Sequence, residues 1–314
     1  MTWYVRRASL HDKPELEALC RATVGPDDYA LDYLERSILK GILHVALDPK
    51  QRIVGMMSYR PCIDGSGWLH MARTHPAVQR QGVSRALVAS FVGMARTSNV
   101  PFLRMWADAT NVPSLNAAKA GGFHEIARFT RVVGPAARGT PKSAPLRFDE
   151  NLWRAVHGSA IVARGKGYAA HEWTFVPATR PVAFAVAAKG HFHGWDGNLL
   201  TFGQAEGEAA LEFTMWAGRP DEMFAEGCRR AAREGRTTAE TFIPHDRDLL
   251  AEARRNGFEP GSWGRDAVVF ELAVPSAHLQ KRTRKTYAEL AAERAGSGHA
   301  HGQGDALGWA RWNP

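Results

Sequence analysis

Hydrophobic and polar residues along the first 135 positions follow two periods, one typical of strands and one typical of helices. Alternation over short runs predicts strands at 3–9, 68–74, 102–108 and 123–133, and a hairpin at 44–61. Spacing of three and four residues predicts helices at 11–22, 31–42 and 112–120, and a longer helix with an apolar face of Val83, Leu87, Phe91 and Met94. The order strand, helix, strand predicts one parallel crossover within a largely antiparallel sheet.

The second part of the chain repeats this plan. Residues 239–272 match 102–133 in their order of elements, and in each segment a polar residue, Asn111 or Asp246, lies eleven positions before the glycine of a Gly-Phe pair. Residues 172–190 match the first hairpin in the same way. Such an internal repeat predicts two tandem domains of α/β class, each a mostly antiparallel sheet with a central parallel strand pair and flanking helices.

Residues rich in proline, glycine and alanine separate the two copies. The run at 134–148 is typical of a linker, so the predicted domains are 1–135 and 149–275, with a linker at 136–148. A helix and a tail rich in glycine and histidine follow at 276–314. Which segment forms the strand before the long helix of the second copy stays open between 199–205 and 209–216.

Composition narrows the class of protein. The chain has 314 residues, of which 45% are hydrophobic, enough for a core in each copy. No apolar run approaches the roughly 18–20 residues that span a bilayer, and the N-terminus has no pattern of a secretory signal. Cys20, Cys62 and Cys228 are odd in number and widely spaced, which argues against a disulfide framework. We expect a cytoplasmic protein.

The net charge of +8 invites two interpretations. Basic residues concentrate at 280–296, which is typical of a solvated helix face but also of a nucleic-acid contact. The other arginines are scattered through both halves. A net positive charge also suits a small anionic ligand, for which a second stretch of the sequence provides a candidate site.

That stretch is Gln79–Arg85, between a predicted strand and a predicted helix. A helix start exposes unpaired N–H groups and a partial positive charge, to which phosphates bind readily. Gly82 permits a close approach of the backbone, Ser84 is small, and Arg80 can donate from the rim. The pattern of a nucleotide-hydrolase phosphate loop is absent from the sequence.

The run T-H-P-A-V-Q-R-Q-G-V-S-R-A-L, together with N-V-P-S and A-G-G-F downstream, resembles the GNAT superfamily of acyl-CoA N-acyltransferases over roughly residues 1–135. The second copy then resembles a degenerate repeat of the same domain. The resemblance implies acetyl-CoA as co-substrate, with its diphosphate on the loop and its pantetheine arm between the strands at 68–74 and 102–108. The implied coenzyme A contacts are Met71, Ala72, Arg73, Thr74, Gln79, Arg80, Gln81, Gly82, Val83, Ser84, Arg85, Asn111, Ser114 and Asn116.

The expected acid and base of the family are both replaced in this chain. Many members protonate the thiolate with a tyrosine at the position of Ala118, and some place a glutamate at the position of Trp68. His70 shares a strand face with Trp68 and is the first candidate base, with Asp108 as the second. Each also has a structural interpretation, His70 as a half-buried histidine and Asp108 as a strand-end turn residue.

Three further features complete the expectations. Asp27 and Asp28 lie where the acceptor groove of the family is common and could attract a cationic amine. The histidines of HFHGWDG at 191–197 lack a convincing cysteine or carboxylate partner, so we expect a hairpin turn and no metal. In the second copy, Pro220 removes a backbone donor and two acidic residues follow it, so this copy is not expected to bind coenzyme A.

The sequence therefore predicts an acetyltransferase that acts on a primary amine of a small molecule or peptide. Two alternatives remain: a weak acyl-CoA-binding or partner-binding module, and a basic nucleic-acid-binding protein. No membrane partner is expected, and either a monomer or a homodimer fits the tandem organisation.

Overall fold

In the first copy, helices and strands follow one another in the order that the sequence predicts. The computed structural model describes residues 3–203, 209–262 and 265–275. The described helices are α1 (Lys13–Thr23), α2 (Ala30–Leu39), α3 (Val83–Thr97), α4 (Val112–Ala120), α5 (Glu150–His157), α6 (Ala160–Arg164), α7 (Arg180–Ala188), α8 (Pro220–Arg233) and α9 (Arg247–Arg255). The basic cluster at 280–296 and the predicted tail lie outside the described residues. No described helix combines the length and the apolar character that crossing a membrane requires.

The strands begin with β1 (Tyr4–Arg7), β2 (Leu43–Leu47), β3 (Ile53–Pro61), β4 (Gly67–Thr74), β5 (Phe102–Asp108), β6 (His124–Pro135) and β7 (Ala144–Pro145). They continue with β8 (Tyr168–His171), β9 (Thr174–Pro177), β10 (Phe192–Trp195), β11 (Asn198–Phe202), β12 (Ala210–Ala217), β13 (Thr238–Pro244), β14 (Glu259–Pro260) and β15 (Asp266–Ala273).

One mixed sheet runs through both copies in the order β1-β2-β3-β4-β5-β15-β6-β13-β12-β11-β10-β7, with β14 paired to β6 and a separate β8–β9 hairpin. Two neighbouring pairs, β4–β5 and β12–β13, are parallel, and the other described pairs are antiparallel. Each half therefore contains a mostly antiparallel sheet with one central parallel pair and flanking helices. The predicted fold class is confirmed.

Both parallel pairs separate after a few residues. The pairing of β4 with β5 is confined to Gly67–Leu103 and Trp68–Arg104. The pairing of β12 with β13 ends at Glu212–Glu240. A bulge in β4 opposite β3 places Met71 in the left-handed region at φ +55°, and bulges of this kind re-aim the side chains around them. Each half thus has a cleft between two diverging strands.

The last strand of each half crosses into the other half. β6, which ends the first copy, pairs with β13 of the second copy, whereas β15, which ends the second copy, pairs with β5 of the first. The two exchanged strands also pair with each other. Sequence periodicity predicts these strands but not their partners, so the continuity of the sheet is a feature that the structure adds.

The predicted match of 172–190 to a hairpin is wrong. After β9 the chain forms helix α7, because Val182, Ala183, Val186 and Ala187 bury one helical face. The hairpin before β12 is β10–β11 instead, closed by Asp196 and Gly197, both at positive φ. The strand that precedes the long helix α8 is β12, which settles the alternative left open by the sequence.

The sheet carries a different layer on each face in the region of β4 and β5. On one face, α3 and α4 contribute Phe91 and Ala118 to a core that includes Leu69 and Leu103. On the other face, the β8–β9 hairpin covers Trp68 and neighbouring aromatic side chains. The first cleft therefore lies between a helical layer and a hairpin supplied by the second half of the chain.

Candidate functional site

The predicted phosphate loop follows the end of β4 directly. His75 Nδ1 accepts a hydrogen bond of 3.2 Å from the N–H of Ala77, which shapes a short 3-10 turn at Pro76–Val78. The loop then uses two positive φ angles, +63° at Arg80 and +88° at Gly82. Gly82 is the residue before α3, where its left-handed conformation is readily adopted because it has no Cβ.

The start of α3 offers unpaired backbone donors. The first N–H of the helix to reach an acceptor is that of Ala86, which donates to the carbonyl of Gly82 at 3.0 Å. Among the described residues, the N–H groups of Val83, Ser84 and Arg85 have no hydrogen-bond acceptor, and no side chain caps the helix. Such a helix end binds anions through these donors and the helix dipole.

Nothing in the described chain crowds this helix start. A Cβ placed on Gly82 would meet no atom closer than the Arg85 guanidinium at 3.6 Å. Gln79, Arg80, Gln81 and Arg85 are exposed around the loop. Trp3 anchors the loop from below, because its indole N–H donates to the carbonyl of Gln81 at 2.9 Å. The loop is thus held in place while its donors face open space.

The predicted pantetheine strand borders the first cleft. Beyond Trp68 the edge of β4 that faces β5 has no strand partner among the described residues. Met71 is buried, Ala72 is exposed and Thr74 is half-buried. The structure therefore brings the implied contact strand and the implied phosphate loop together at one end of the cleft.

Arg73 and Asp28 form a buried ion pair that the sequence analysis did not anticipate. The Arg73 Nε donates to Asp28 Oδ2 at 2.7 Å, and Asp28 also accepts from the N–H of Ala30 at 3.0 Å. Burial opposes the ionisation of Asp28, but these hydrogen bonds outweigh it, and its pKa lies below the usual value. Asp28 is 2% exposed and already neutralised, whereas Asp27 is exposed. The expectation that both carboxylates attract an amine is wrong for Asp28.

His70 lies on β4 on the same face as Trp68. Burial, followed by the nearby charges of Arg60 and Arg73, lowers the pKa of His70 to about 4. Its Nε2 atom is buried and has no hydrogen-bond partner among the described residues. His70 is therefore neutral at physiological pH and presents a free ring nitrogen, but it is a weaker base than an ordinary histidine.

The other predicted contacts lie at the far strand of the cleft. Asp108 ends β5, and its Oδ1 accepts hydrogen bonds from the N–H and hydroxyl of Thr110 at 2.9 and 2.6 Å. Asn111 begins α4 and accepts from the N–H of Ser114 at 3.1 Å. Asn116 is exposed on the same helix. Asp108 and Asn111 thus shape a strand-to-helix turn at this end of the cleft.

Below the cleft, a buried ionic network joins the two halves. Arg104 of β5 is 2% exposed, and its guanidinium donates to Glu271 of β15 at 2.7 Å and to Asp64 at 2.5 Å. Ser66 Oγ accepts from the same guanidinium at 2.8 Å. No local sequence pattern identifies this network, because its partners come from three separate segments.

The tip of the β8–β9 hairpin reaches both halves. The carbonyl of Glu172 accepts a hydrogen bond from Arg60 of β3. The N–H of Trp173 donates to the carboxyl of Glu212 on β12 at 3.0 Å. Burial raises the pKa of Glu212 to about 7, so this carboxyl titrates near neutral pH. The charge of Arg60 also lowers the pKa of His70. Arg60 therefore links the tip of this hairpin electrostatically to the first cleft.

The equivalent helix start in the second half has a different construction. β12 ends at Ala217 and α8 begins at Pro220, so two residues replace the longer loop. The N–H of Arg219 donates to the Oδ1 of Asn198 at 2.8 Å. The guanidinium of Arg219 pairs with Asp221 and with Glu222, both in the first turn. Negative side chains of this chain already lie where an anion would bind.

Comparisons with known proteins find a similarity over the part of the chain that contains these features. Residues 11–123 match the model of the acetyltransferase (GNAT) family, a segment that ends at Phe123 and includes the loop and the first cleft. No curated protein matches the sequence.

Solved structures share the fold of nearly the whole chain. A presumptive acetyltransferase of Thermoplasma acidophilum is 16% identical with a TM-score of 0.59, over 86% of this chain and 99% of that one. A GCN5-related N-acetyltransferase of Sphaerobacter thermophilus is 13% identical with a TM-score of 0.58, over 87% of this chain and 96% of that one. At these identities the likeness establishes the fold alone.

Proposed function

We propose that this chain, whose residues 11–123 form a domain of the GNAT acetyltransferase family, transfers an acetyl group from acetyl-CoA to a primary amine. The observation that carries the proposal is the open start of α3. Three N–H groups at this helix start have no acceptor among the described residues, and Gly82, directly before them, is uncrowded. The loop that contains Gly82 follows the strand that borders the first cleft. This arrangement suits a diphosphate at the surface with the rest of the cofactor directed into the cleft.

The proposed cofactor contacts follow the geometry of the loop and the strand. The N–H groups of Val83, Ser84 and Arg85 bind the diphosphate, and the guanidiniums of Arg80 and Arg85 add charge-assisted hydrogen bonds from the rim. The free edge of β4 pairs with the amides of the pantetheine arm. The thioester then lies deep in the cleft, on the side of His70.

The chemical step needs a neutral amine and a route for its proton. The amine attacks the thioester carbonyl, a C–N bond forms and the C–S bond breaks. The proton that the nitrogen loses passes through water to the leaving thiolate, so that the products are the amide and the free thiol of coenzyme A. Because the pKa of His70 is about 4, His70 acts as a hydrogen-bond acceptor that orients the amine, directly or through water. Asp108 is the second candidate for this role. Holding amine and thioester together supplies much of the rate acceleration.

The second half contributes to the acceptor side. The β8–β9 hairpin covers the sheet face that carries Trp68, and its tip is held between Arg60 and Glu212. A small-molecule or peptide amine that reaches His70 therefore meets residues from both halves. These contacts support an acceptor pocket completed within one chain. A cytoplasmic protein that is a monomer or a homodimer remains our expectation from the sequence.

A second candidate function is an acyl-CoA-binding module with little turnover. The observations in its favour are Ala118 at the family's tyrosine position and the lowered pKa of His70. Both functions predict that acetyl-CoA binds, and they differ in whether coenzyme A is released. The alternative of a nucleic-acid-binding protein depends on the basic cluster at 280–296 and predicts salt-dependent binding of DNA or RNA.

The test combines binding with turnover. Calorimetric titration with acetyl-CoA measures binding, and release of free coenzyme A thiol in the presence of a panel of primary amines measures transfer. Binding with amine-dependent thiol release supports the acetyltransferase, and binding without it supports the module. A protein that fails to bind acetyl-CoA contradicts both.

The role of His70 is tested separately with His70→Gln and His70→Ala. If His70 orients the amine, both variants lower kcat by roughly 10- to 100-fold while acetyl-CoA affinity stays unchanged. Glutamine can still accept a hydrogen bond, so the loss is smaller in His70→Gln. Equal kcat in all three proteins would leave His70 with a structural role only.

A further inference from the structure

Three potential metal ligands meet at the tip of the β8–β9 hairpin. His171 is the last residue of β8, Glu172 follows it in the turn, and His191 precedes β10. Each residue offers one ligand atom, and these three atoms all lie within 4.8 Å of one another. The carboxylate Oε1 of Glu172 is 3.6 Å from Nδ1 of His191. No step of the proposed acyl transfer uses this cluster.

The two imidazoles have buried nitrogens without partners. His171 is only 3% exposed, and its Nε2 has no hydrogen bond among the described residues. The Nδ1 of His191 is likewise buried and has no hydrogen bond there, since the Glu172 carboxylate at 3.6 Å lies beyond hydrogen-bond distance. Leaving a buried polar atom unpaired costs about 1–3 kcal/mol, so two such nitrogens beside one carboxylate require an explanation. A bound cation would satisfy both.

The turn that carries Glu172 is the two-residue connection of the β8–β9 hairpin. Glu172 and Trp173 have φ angles of +50° and +58°, as tight turns between antiparallel strands require at both central positions. Two contacts hold this turn, one from Arg60 to the carbonyl of Glu172 and one from the N–H of Trp173 to Glu212. The backbone that carries the carboxylate is therefore held between the two halves of the chain.

We propose that His171, Glu172 and His191 bind a divalent transition-metal cation of the zinc class. Two imidazole nitrogens and one carboxylate oxygen are a donor set that Zn²⁺ accepts, with water in the fourth position. Bond lengths of about 2.0–2.1 Å in a tetrahedral site place neighbouring donors roughly 3.3 Å apart. The Glu172–His191 pair is already near that spacing, and modest side-chain rotation closes the rest.

Charged side chains near His171 limit the affinity of the cluster for a cation. Positive charges of Arg60 and Lys189 act on His171 and oppose a cation, so binding is weaker than at a four-ligand structural site. Glu172 retains 35% of its side-chain exposure, which leaves a path from solvent. The cation would connect the β8–β9 hairpin to the segment before β10, and so stabilise the layer that covers the first cleft.

This proposal departs from the expectation that 191–197 holds no metal. Within that segment His193 is the obvious companion of His191, but its ring packs edge-on against Phe202. The carboxylate and the second histidine come from 171–172 instead, and β9 and α7 separate these residues from His191 along the chain. Spacing within one segment could not reveal ligands that the fold brings from another.

The experiment uses the full chain carrying His299→Ala and His301→Ala, because these tail histidines could bind zinc independently. Equilibrium dialysis against Zn²⁺ with metal analysis gives stoichiometry and affinity, and Co²⁺ reports the site by its visible absorption. We expect one equivalent of metal, a rise in Tm with Zn²⁺, and visible Co²⁺ bands.

Two ligand variants and one control test the assignment. Glu172→Gln and His191→Ala replace side chains that are not fully buried, and each should lower the affinity for Zn²⁺ by at least about tenfold. His157→Ala, at an exposed histidine away from the cluster, should leave metal affinity unchanged. The proposal is overturned if the chain with only the two tail substitutions binds no metal. It is also overturned if Glu172→Gln and His191→Ala leave the Zn²⁺ affinity of that chain unchanged. Far-UV circular dichroism and the Tm without metal check the folding of each protein. Acetyl-CoA binding is measured separately, and its outcome bears on the proposed function alone.

Discussion

The starts of α3 and α8 occupy equivalent places in the two halves and are built in opposite ways. Each follows a strand of a parallel pair, and each has a glycine with positive φ just before the helix, Gly82 at +88° and Gly218 at +116°. A Cβ on Gly82 would meet only a flexible guanidinium, whereas a Cβ on Gly218 would overlap Asn198. One junction is open to a ligand and the other is closed by the protein itself.

The difference shows what distinguishes a binding site from a structural turn. At α3 the unpaired donors have no side-chain partner, which costs stability unless water or a ligand satisfies them. At α8 the acidic residues of the first turn supply negative charge to the helix start, and the side chain of Asn198 accepts a hydrogen bond from the N–H of Arg219. A glycine is present at both junctions, so a glycine by itself does not identify an anion-binding helix start.

The largest expected effect comes from closing the open junction. Gly82→Glu puts bulk and negative charge at the proposed position of the diphosphate, so acetyl-CoA affinity should fall by roughly 100-fold, about 2.7 kcal/mol. The positive φ adds about 1–2 kcal/mol of strain to the folded state. Calorimetry gives the affinity, and Tm gives the stability.

Gly82→Asn is the matched control, since asparagine adopts positive φ more readily and adds no charge. It should bind acetyl-CoA within about tenfold of wild type. Gly82→Glu with unchanged affinity would mean that the loop is only a turn, and the proposed function would lose its main physical support.

Loosening the closed junction should affect stability rather than binding. Asn198→Ala leaves the N–H of Arg219 without its acceptor, which should lower the free energy of unfolding by about 1–3 kcal/mol. Denaturant unfolding measures the change. Acetyl-CoA affinity should stay at the wild-type value, and a large fall in affinity would show that the second junction also contacts the cofactor.

A smaller effect is expected at the rim of the open junction. Arg80→Ala removes one exposed guanidinium and should weaken acetyl-CoA binding by about 1 kcal/mol, which is roughly a fivefold loss of affinity. The loss should shrink as salt concentration increases, because exposed charges are screened. Affinities at low and high salt test this, and a salt-independent loss would indicate that Arg80 shapes the loop instead.

No second cofactor site should appear when the acidic residues of α8 are neutralised. Asp221→Asn with Glu222→Gln removes negative charge, but Pro220, the two-residue connection and Asn198 remain. Titration should therefore still give about one acetyl-CoA per chain, as in wild type. Two equivalent sites in either protein would contradict the proposed division of roles between the two halves.

Elements with strong local signals were predictable from the sequence. The bounds of β5 and α4 agree with the predicted strand 102–108 and helix 112–120, because alternation defines the first and Asn111 with Pro113 begins the second. The predicted hairpin at 172–190 is wrong because the short strand β9 and the alanine-rich helix α7 share an apolar pattern with a hairpin. Apolar runs of this length do not separate strand from helix.

The long-range features had no local signal. The exchange of β6 and β15 depends on which strand edge is free, and strand periodicity carries no information about partners. The same holds for Arg73, whose side chain is held by Asp28, forty-five positions away. The loop of the candidate site could be predicted because its residues are consecutive. The residues around His70 could not, because they come from several segments.

The exchanged strands also govern when this protein can fold during its synthesis. All residues of the proposed cofactor site are made early, yet β5 has β15 as its neighbour, and Phe102 pairs with Ala273. Until that last strand leaves the ribosome, the nascent first half has an unpaired apolar edge next to its binding cleft. Pairing between such distant segments slows folding and exposes the chain to aggregation. The order of translation therefore makes the finished cofactor site dependent on the last described strand.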